Sequence, residues 1–265
     1  LRIISTLKDF LFSISSNRQY RELFCNNPSD FSRKRKLPFD QLALFLVRLC
    51  KKTLSVELED YFHSAGKPSC STPAFTQQRL KLDPSFFYCW NRILCDSFYQ
   101  EYNKRVRRWM GYRLIGVDGS NIALVNKPIL SEVFGGQSNQ TGSFVQAKIF
   151  YAYDLLNKLI LFPAMTPYRY GEVNSAYNML MHAPLESDFL MIFDRNFSNY
   201  KMVALMELRE QPIKYVIRVQ DRLNIYKGFV ESRKREQIIE ITPTSLIIDA
   251  LRDCGTGLFT PGPVR

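Results

Sequence analysis

Two short apolar segments, each ending on an aspartate, constrain the fold of this chain more than any other feature of its sequence. RLIGVD ends at Asp118, and FLMIFD ends at Asp194. Short apolar runs bounded by turn residues are typical of buried β-strands. A carboxylate directly after such a strand either caps the next turn or belongs to a functional site at the strand end. The sequence therefore predicts a sheet with polar chemistry at one edge.

The segments around these two strands predict an α/β fold. From residue 111 onward, the predicted order is β-β-β-α-β-α-β, with the three leading strands in a meander. The predicted strands are YRLIGVD, SFVQAKIFYAYD, KLILFPAMTPY, FLMIFD and IKYVIRVQ, and the predicted helices are GEVNSAYNMLMHA and NYKMVALMELRE. A β-rich insertion is predicted to begin near residue 221, with NIYKGFVESRKREQIIEITPT as a hairpin.

Residues 1–110 are predicted to be helical, which divides the chain into two regions, 1–110 and 111–265. FDQLALFLVRLCKK is apolar nearly all round and predicts a buried helix. TLSVELEDYFHSAG has apolar residues close to helical spacing and predicts a second helix. DPSFFYCWNRILCDSFYQEYNKRVRRW predicts a long amphipathic helix with a basic end.

STPAFTQQRLKL predicts another helix, with Thr72 as its N-cap and Pro73 at its first position. The predicted buried face consists of Phe75, Arg79 and Leu82, and the outer face of Gln77, Gln78 and Lys81. With the preceding helix, this one is a candidate for a helix-turn-helix whose polar face enters the major groove of DNA. The intervening segment is longer than the usual three-to-four-residue turn.

The net charge of +11 is concentrated in the helical region. Residues 1–110 contain 19 Lys and Arg against 10 Asp and Glu, whereas residues 111–265 contain 17 against 15. Such asymmetry favours a nucleic-acid partner, the alternative being a solvated basic surface. The candidate DNA-contact residues lie in SRKRK, in NKRVRRW and on the outer face of the helix STPAFTQQRLKL. They are Arg33, Lys34, Arg35, Lys36, Gln77, Gln78, Lys81, Arg105, Arg107 and Arg108.

Asp118 and Asp194 converge at the carboxyl edge of the sheet if their strands are neighbours. Two carboxylates at close range repel each other unless a cation joins them. Oxygen ligands of this kind favour Mg²⁺ or Mn²⁺, and two such ions can activate an attacking oxygen and stabilise a leaving one at phosphorus. The alternative is that each aspartate only caps a turn.

The sequence resembles the IS4-type DDE transposases, which have an RNase H-like core. The resemblance covers residues from about 30 onward, and its motifs are RLIGVDGSNIAL, FLMIFDRNFSNYKMVALM and IKYVIRV, with FSRKRKLPFDQLALFL, ELEDYF and STPAFTQQRLKL upstream. It implies that Asp118 and Asp194 are the first two catalytic acids and hold two Mg²⁺ or Mn²⁺ ions. Asn196 stands where the family has glycine, and asparagine also tolerates the left-handed backbone that such a turn would need.

The resemblance also implies a reaction and partners. Water would cleave the phosphodiester at the element end, and the freed 3′-hydroxyl would then attack target DNA without a covalent protein intermediate. The expected partners are double-stranded DNA, as transposon ends and target, and a second copy of the chain on that DNA. The cysteines, none in a C-x-x-C pair, and the lack of an apolar signal core or membrane span predict a cytoplasmic protein that associates with the nucleoid through DNA.

The third acid of the family is not found in its expected pattern. In the family this acid is a glutamate on a helix, within the pattern Y-x-x-R-x-x-x-E. Tyr215 and Arg218 match the Y-x-x-R part, but the position where glutamate should follow is Arg222. Five other glutamates are considered as the third acid. Glu207 and Glu210 are better explained as solvated residues of the helix after Asp194, and Glu231, Glu236 and Glu240 lie in the predicted hairpin. The third acid is therefore expected beyond Arg265, and this chain is interpreted as an incomplete copy. Two alternatives remain open: a non-catalytic DNA-binding remnant and a different metal nuclease on the same core.

Overall fold

The computed structural model describes residues 2–49, 52–139, 142–207, 211–219 and 224–238, together with Ser245. Only the backbone is described for residues 139, 224 and 225. The chain divides into two compact units, Leu1–Arg105 and Val106–Arg265. The division falls five residues before the boundary that the sequence predicts.

The first unit is helical. Its helices are α1 (Arg2–Ser16), α2 (Arg18–Glu22), α3 (Phe39–Arg48), α4 (Leu54–Ser64), α5 (Thr72–Arg79) and α6 (Ser85–Glu101). An aromatic cluster around Phe86 forms part of its core, with Phe39 packed edge-on at 5.1 Å and Trp90 at 5.3 Å between ring centroids. Phe86 is fully buried, because helices from both ends of the unit bring aromatic side chains onto it.

Three predictions for this unit are wrong in detail. Helix α3 is not buried all round, because Val47 is 62% exposed on its outer face. Helix α5 begins one residue earlier than predicted, and Ser71 is its N-cap, with its Oγ accepting a hydrogen bond from the Ala74 backbone N–H. Helix α6 ends at Glu101, before the basic segment, whose residues 104–108 contain only Val106 as an apolar residue to bury.

The second unit is a mixed α/β fold, as predicted. Its strands are β1 (Arg113–Ala123), β2 (Gly136–Asn139), β3 (Gly142–Asp154), β4 (Leu159–Ile160), β5 (Ala164–Pro167), β6 (Phe189–Phe193) and β7 (Lys214–Ile217). Its helices are α7 (Pro128–Phe134), α8 (Glu172–His182), α9 (Tyr200–Glu207) and α10 (Asn224–Ser232).

The seven strands form one mixed sheet in the order β2-β3-β1-β6-β7, and β4 and β5 also pair with β3. Strand β1 is antiparallel to β3 and parallel to β6, which is parallel to β7. Alternate residues of β1 and β6, such as Val117 and Phe193, are buried in a core with α8 and α9. The long strand β1 is therefore fixed from both sides.

The structure corrects three strand predictions. Strand β1 does not end at Asp118 but continues to Ala123, because β3 pairs with it along this whole stretch, with Tyr151 opposite Asp118. The predicted strand KLILFPAMTPY forms two short strands, β4 and β5, because Pro163 lies between them and has no N–H to donate. The predicted hairpin from Asn224 begins instead as helix α10. Tyr226 and Val230 share a helical face, and Lys227 lies 3.8 Å from Glu231 one turn later, which is the spacing of a helix rather than a strand. The rest of the predicted hairpin, beyond residue 238, lies outside the described residues.

A buried ion pair fixes the start of β1 beside the start of β6. The Arg113 side chain is 2% exposed, and its Nε donates hydrogen bonds to both carboxylate oxygens of Asp188, at 3.0 and 2.9 Å. Its Nη2 donates to Glu186 and to Asp188. Burial acts to lower the pKa of Arg113, but these hydrogen bonds outweigh it and raise the pKa above its usual value. The guanidinium also lies 4.5 Å from the Phe189 ring centroid.

Within the described part of the chain, no helix has both the length and the apolar character required to cross a membrane. Four of the six cysteines are described, and all four are free thiols: Cys25, Cys70, Cys89 and Cys95. Burial raises the pKa of Cys25 to about 11, with the nearby Asp30 adding to the shift. Its thiol therefore stays protonated at neutral pH and is a poor metal ligand.

Candidate metal site and basic pocket

Asp118 and Asp194 occupy equivalent positions on adjacent parallel strands. The register of β1 and β6 pairs Val117 with Phe193, and each aspartate is the next residue. Neighbouring strands lie about 4.8 Å apart, so two side chains at this position can reach one cation. The expected adjacency of the two strands is confirmed. The role of the two carboxylates as metal ligands stays a prediction.

Both carboxylates also leave the sheet on the same face. Val117 and Phe193 point into the core that α8 and α9 cover, and successive side chains of a strand alternate between faces. Asp194 keeps an extended backbone, with φ −76° and ψ 177°, so the alternation continues to it. Asp118 and Asp194 are both exposed. They therefore lie together on the face opposite the core.

Local hydrogen bonds engage one oxygen of each carboxylate. Asp118 Oδ1 accepts from the Gly119 N–H at 2.8 Å, and Asp194 Oδ1 accepts from the Asn196 N–H at 2.8 Å. Asp194 thus does cap a turn, the 3₁₀ helix Arg195–Phe197. Asn196 lies inside this right-handed helix, so it does not use the left-handed conformation considered for it. These two backbone hydrogen bonds occupy Oδ1 and leave Oδ2 of each aspartate for another partner.

Glu172 is a third carboxylate, close to Gly119 and Asn196, and it was not among the residues predicted from the sequence. It is the first residue of α8, and its Oε1 accepts a hydrogen bond from Asn196 Nδ2. A Cβ built on Gly119 would lie 2.7 Å from both the Cβ and the Oε2 of Glu172. An acidic residue in the first helical turn is common, so Glu172 gives no signal by itself. Gly119 does, because glycine inside a strand often marks a close approach.

The two aspartates have the chemistry that Mg²⁺ or Mn²⁺ selects, since both ions prefer carboxylate oxygens and Mg²⁺ keeps several bound waters. In the residues that the structure describes, however, no group of three or more His, Cys, Asp or Glu side chains is arranged to hold a metal ion. The described site therefore fits one ion held by two carboxylates and water. A second ion needs a further ligand.

The glutamates considered as third ligands contact other side chains, are exposed to solvent, or lie outside the residues that the structure describes. Tyr215 donates a hydrogen bond to Glu207, and burial together with this bond raises the pKa of Tyr215. Glu231 lies 3.8 Å from Lys227, and Glu236 is exposed after α10. Residues 210, 222 and 240 lie outside the described residues.

The contact between Gly119 and Glu172 leads to a test of local packing. Gly119→Ala is expected to lower the free energy of unfolding by about 1–3 kcal/mol, because the new methyl group must displace the base of the Glu172 side chain. The matched control is Gly228→Ala in α10, where a Cβ has nothing within 4 Å. That change should stabilise by about 0.5–1 kcal/mol. Urea denaturation measures both, and equal effects would contradict the close packing.

In the first unit, the structure brings several predicted DNA-contact residues into one basic pocket. Arg33, Lys34, Arg35 and Lys36 are exposed in the loop before α3, and Lys36 Nζ donates to the Ser69 carbonyl at 2.8 Å. Two neighbouring cavities, of 340 and 230 Å³, lie between this loop and α5. Their shared or adjoining lining, here called the basic pocket, includes Arg33, Arg35, Lys36, Gln77, Gln78 and Lys81.

The predicted orientation of α5 is wrong for two residues. Gln78 was predicted to face outward but is 7% exposed, and its Nε2 donates to the Leu37 carbonyl at 2.9 Å. Arg79 was predicted to be buried but is exposed, with its guanidinium 5.8 Å from the Phe75 ring centroid. The buried face is rotated because the Leu37 carbonyl needs a donor. Gln78 therefore supports the pocket rather than extending toward a base edge.

The second predicted basic cluster is divided between the two units. Arg105 ends the 3₁₀ helix Asn103–Arg105 in the first unit. Arg107 belongs to the second unit, where its backbone N–H donates to Asn157 Oδ1 at 2.9 Å. Arg108 Nε lies 3.4 Å from Asp188 Oδ2, so its charge is partly neutralised. The basic pocket is the stronger candidate for phosphate contacts.

Comparison with known proteins adds no assignment. No family model matches the chain, and no curated protein matches it at a significant level.

Proposed function

We propose that this chain is a DNA transposase of the IS4 type, with DNA-binding residues in its helical unit and two catalytic aspartates in an RNase H-like unit. The observation that carries the proposal is the placement of Asp118 and Asp194 at equivalent positions on adjacent parallel strands, on one face. Asp118 lies inside strand β1 and Asp194 caps a turn, so turn capping does not account for their shared register and face, whereas a shared cation does.

The strand order supports the RNase H-like part of this proposal. A long central strand, β1, is antiparallel to β3 on one side and parallel to β6 on the other, and β7 follows in parallel. Strand β5 lies beyond β3, so the leading strands fold back on one another before helix α8 leads to β6. The middle of β1 and the carboxyl end of β6 are therefore neighbours inside the sheet, and ligands of open α/β sheets bind beside such strand ends.

Each residue has a defined part in the proposed reaction. Asp118 and Asp194 would hold divalent ions, while the Gly119 and Asn196 N–H groups donate to Oδ1 of each and orient the carboxylates. When bound, Mg²⁺ or Mn²⁺ would activate the attacking oxygen and stabilise the leaving oxygen at phosphorus. Arg33, Arg35 and Lys81 neutralise backbone phosphates in the basic pocket and so orient double-stranded DNA. A homodimer on the DNA would present two such sites to paired element ends.

DNA binding tests the part of this proposal that concerns the basic pocket. The full chain should bind duplex DNA with an affinity that falls steeply as salt rises, since phosphate neutralisation releases counterions. Arg35→Ala and Lys81→Ala should each weaken binding and reduce the slope of log affinity against log salt by about one. Arg92→Ala is the control, because Arg92 lies on α6 and pairs with Asp96 at 3.6 Å. A flat salt response, or unchanged binding by the pocket variants, would contradict the role of the pocket.

Strand transfer tests the reaction itself. Labelled DNA ends and a target plasmid should yield joined products, dependent on Mg²⁺ or Mn²⁺, when the chain is extended by a fused segment that carries the third acid of the IS4 type. The matched control is the same extended chain without divalent ions. Cleavage without joining would identify a metal nuclease instead, and binding without either reaction would identify a DNA-binding remnant.

A further inference from the structure

We propose that Glu172 is a positioning residue, which holds the turn that carries Asp194 by way of Asn196. The inference rests on the proposed function, because it concerns the same two aspartates. It adds a residue from a different element, helix α8, to the candidate metal site. It also assigns a purpose to Gly119 and Asn196, which flank the two aspartates in sequence.

The contacts form a continuous connection from α8 to Asp194. Glu172 Oε1 accepts from the side-chain amide Nδ2 of Asn196. The backbone N–H of the same Asn196 donates to Asp194 Oδ1 at 2.8 Å. A residue held at both its side chain and its backbone has little freedom to turn. The hydrogen bond that Glu172 accepts from Asn196 therefore restricts the orientation of the Asp194 carboxylate.

Gly119 allows Glu172 to reach this position. The Cβ and Oε2 of Glu172 occupy space within 2.7 Å of where a side chain on Gly119 would begin. Any residue larger than glycine would push the start of α8 away from β1. Because Gly119 directly follows Asp118, the one glutamate contacts the strand of the first aspartate and the turn of the second. It is thus placed to set the spacing between them.

The geometry favours positioning over metal ligation. Gly119 faces the side of β1 opposite Asp118, because successive residues of a strand alternate. Glu172 packs on that opposite side, and one of its oxygens is already engaged by Asn196. In the described part of the chain, the three carboxylates do not form a group that could hold a metal. Glu172 therefore acts on the aspartates through Asn196 rather than by direct ligation.

The variant Glu172→Gln distinguishes a positioning role of Glu172 from metal ligation. Glu172→Gln keeps an oxygen that accepts from Asn196 but removes the charge that a metal ligand needs. Glu172→Ala removes both. Mn²⁺ binding by the full chain, measured by electron paramagnetic resonance, should weaken about tenfold or more in Glu172→Ala, the usual cost of losing a residue that orients a ligand. Glu172→Gln should stay within about twofold of the unaltered chain, because an amide oxygen makes the same contact.

Asn196→Ala provides an independent route to the same result. It should weaken Mn²⁺ binding as much as Glu172→Ala does, and the double variant should be no worse than either single one, because both changes break one connection. Glu132→Ala, an exposed glutamate of the same unit, is the charge-matched control and should have no effect. Melting temperatures of all variants confirm that each is folded at the assay temperature.

The outcomes distinguish failure of the inference from failure of the proposed function. If Asp118→Ala and Asp194→Ala abolish Mn²⁺ binding but Glu172→Ala does not alter it, the positioning role is overturned and the metal site stands. If Glu172→Gln is as damaging as Glu172→Ala, Glu172 is a ligand and the positioning role is again overturned. If Mn²⁺ binding is absent, or insensitive to Asp118→Ala and Asp194→Ala, the metal site and this inference both fall.

Discussion

Asp118→Ala and Asp194→Ala are each expected to reduce metal-dependent DNA cleavage by more than a hundredfold, while DNA binding stays unchanged. Displacement of a reacting group by about 1 Å can already cost on the order of a hundredfold in rate, and each variant removes a whole ligand. DNA binding should persist because the basic pocket belongs to the other unit. Plasmid nicking and gel-shift titrations with the extended chain measure the two quantities.

Conservative variants sharpen this test. Asp118→Asn and Asp194→Asn keep the oxygen that accepts the local backbone hydrogen bond. The local backbone conformation should therefore be kept while the negative charge is lost. They should fail in cleavage as the alanine variants do. The described site offers two carboxylates and a second ion needs a further ligand, so residues 1–265 are expected to bind DNA without nicking or joining it. Robust Mg²⁺-dependent strand transfer by this chain would contradict that expectation.

Asp188→Ala is expected to lower the free energy of unfolding by roughly 3 kcal/mol, the usual range for removing one partner of a buried ion pair. The Arg113 side chain is 2% exposed and would lose its main carboxylate partner, while the more exposed Glu186 would remain. Glu186→Ala should cost no more than about 1 kcal/mol, because that carboxylate is 61% exposed and well hydrated. Urea denaturation of both variants gives the comparison.

A double-mutant cycle identifies the cause of this loss. Arg113→Met with Asp188→Ala should be more stable than Asp188→Ala alone, because methionine leaves no buried charge to satisfy. The coupling between the two positions should be of the order of 1–3 kcal/mol. Equal stability of Asp188→Ala and Glu186→Ala would show that the ion pair does not hold β1 against β6.

The strands and the two aspartates were predictable because their signals are local. An apolar run such as FLMIFD is read directly from the chain, and the end of that run places Asp194. The neighbouring strand order then followed from the alternation of strands and helices along the sequence. Helix α10 was missed because its first residues, rich in β-branched and aromatic side chains, suit a strand as well as a helix.

Contacts between distant segments were not predictable from the sequence. Gln78 turns inward because the carbonyl of Leu37, 41 residues earlier, takes its hydrogen bond. Glu172 reaches Asn196 only once α8 has packed over Gly119. Neither side chain differs, in its local sequence, from a solvated residue on a helix. Such assignments require the fold, since the partner that decides them is remote in sequence.

The buried Arg113 pair and the two aspartates lie at opposite ends of the stretch over which β1 pairs with β6. Five registered pairs join β1 to β6, from Arg113 with Phe189 to Val117 with Phe193. The residues of the ion pair do not contact the two aspartates, so the stability of the strand pair can be altered by substitution without changing the carboxylates of the candidate site.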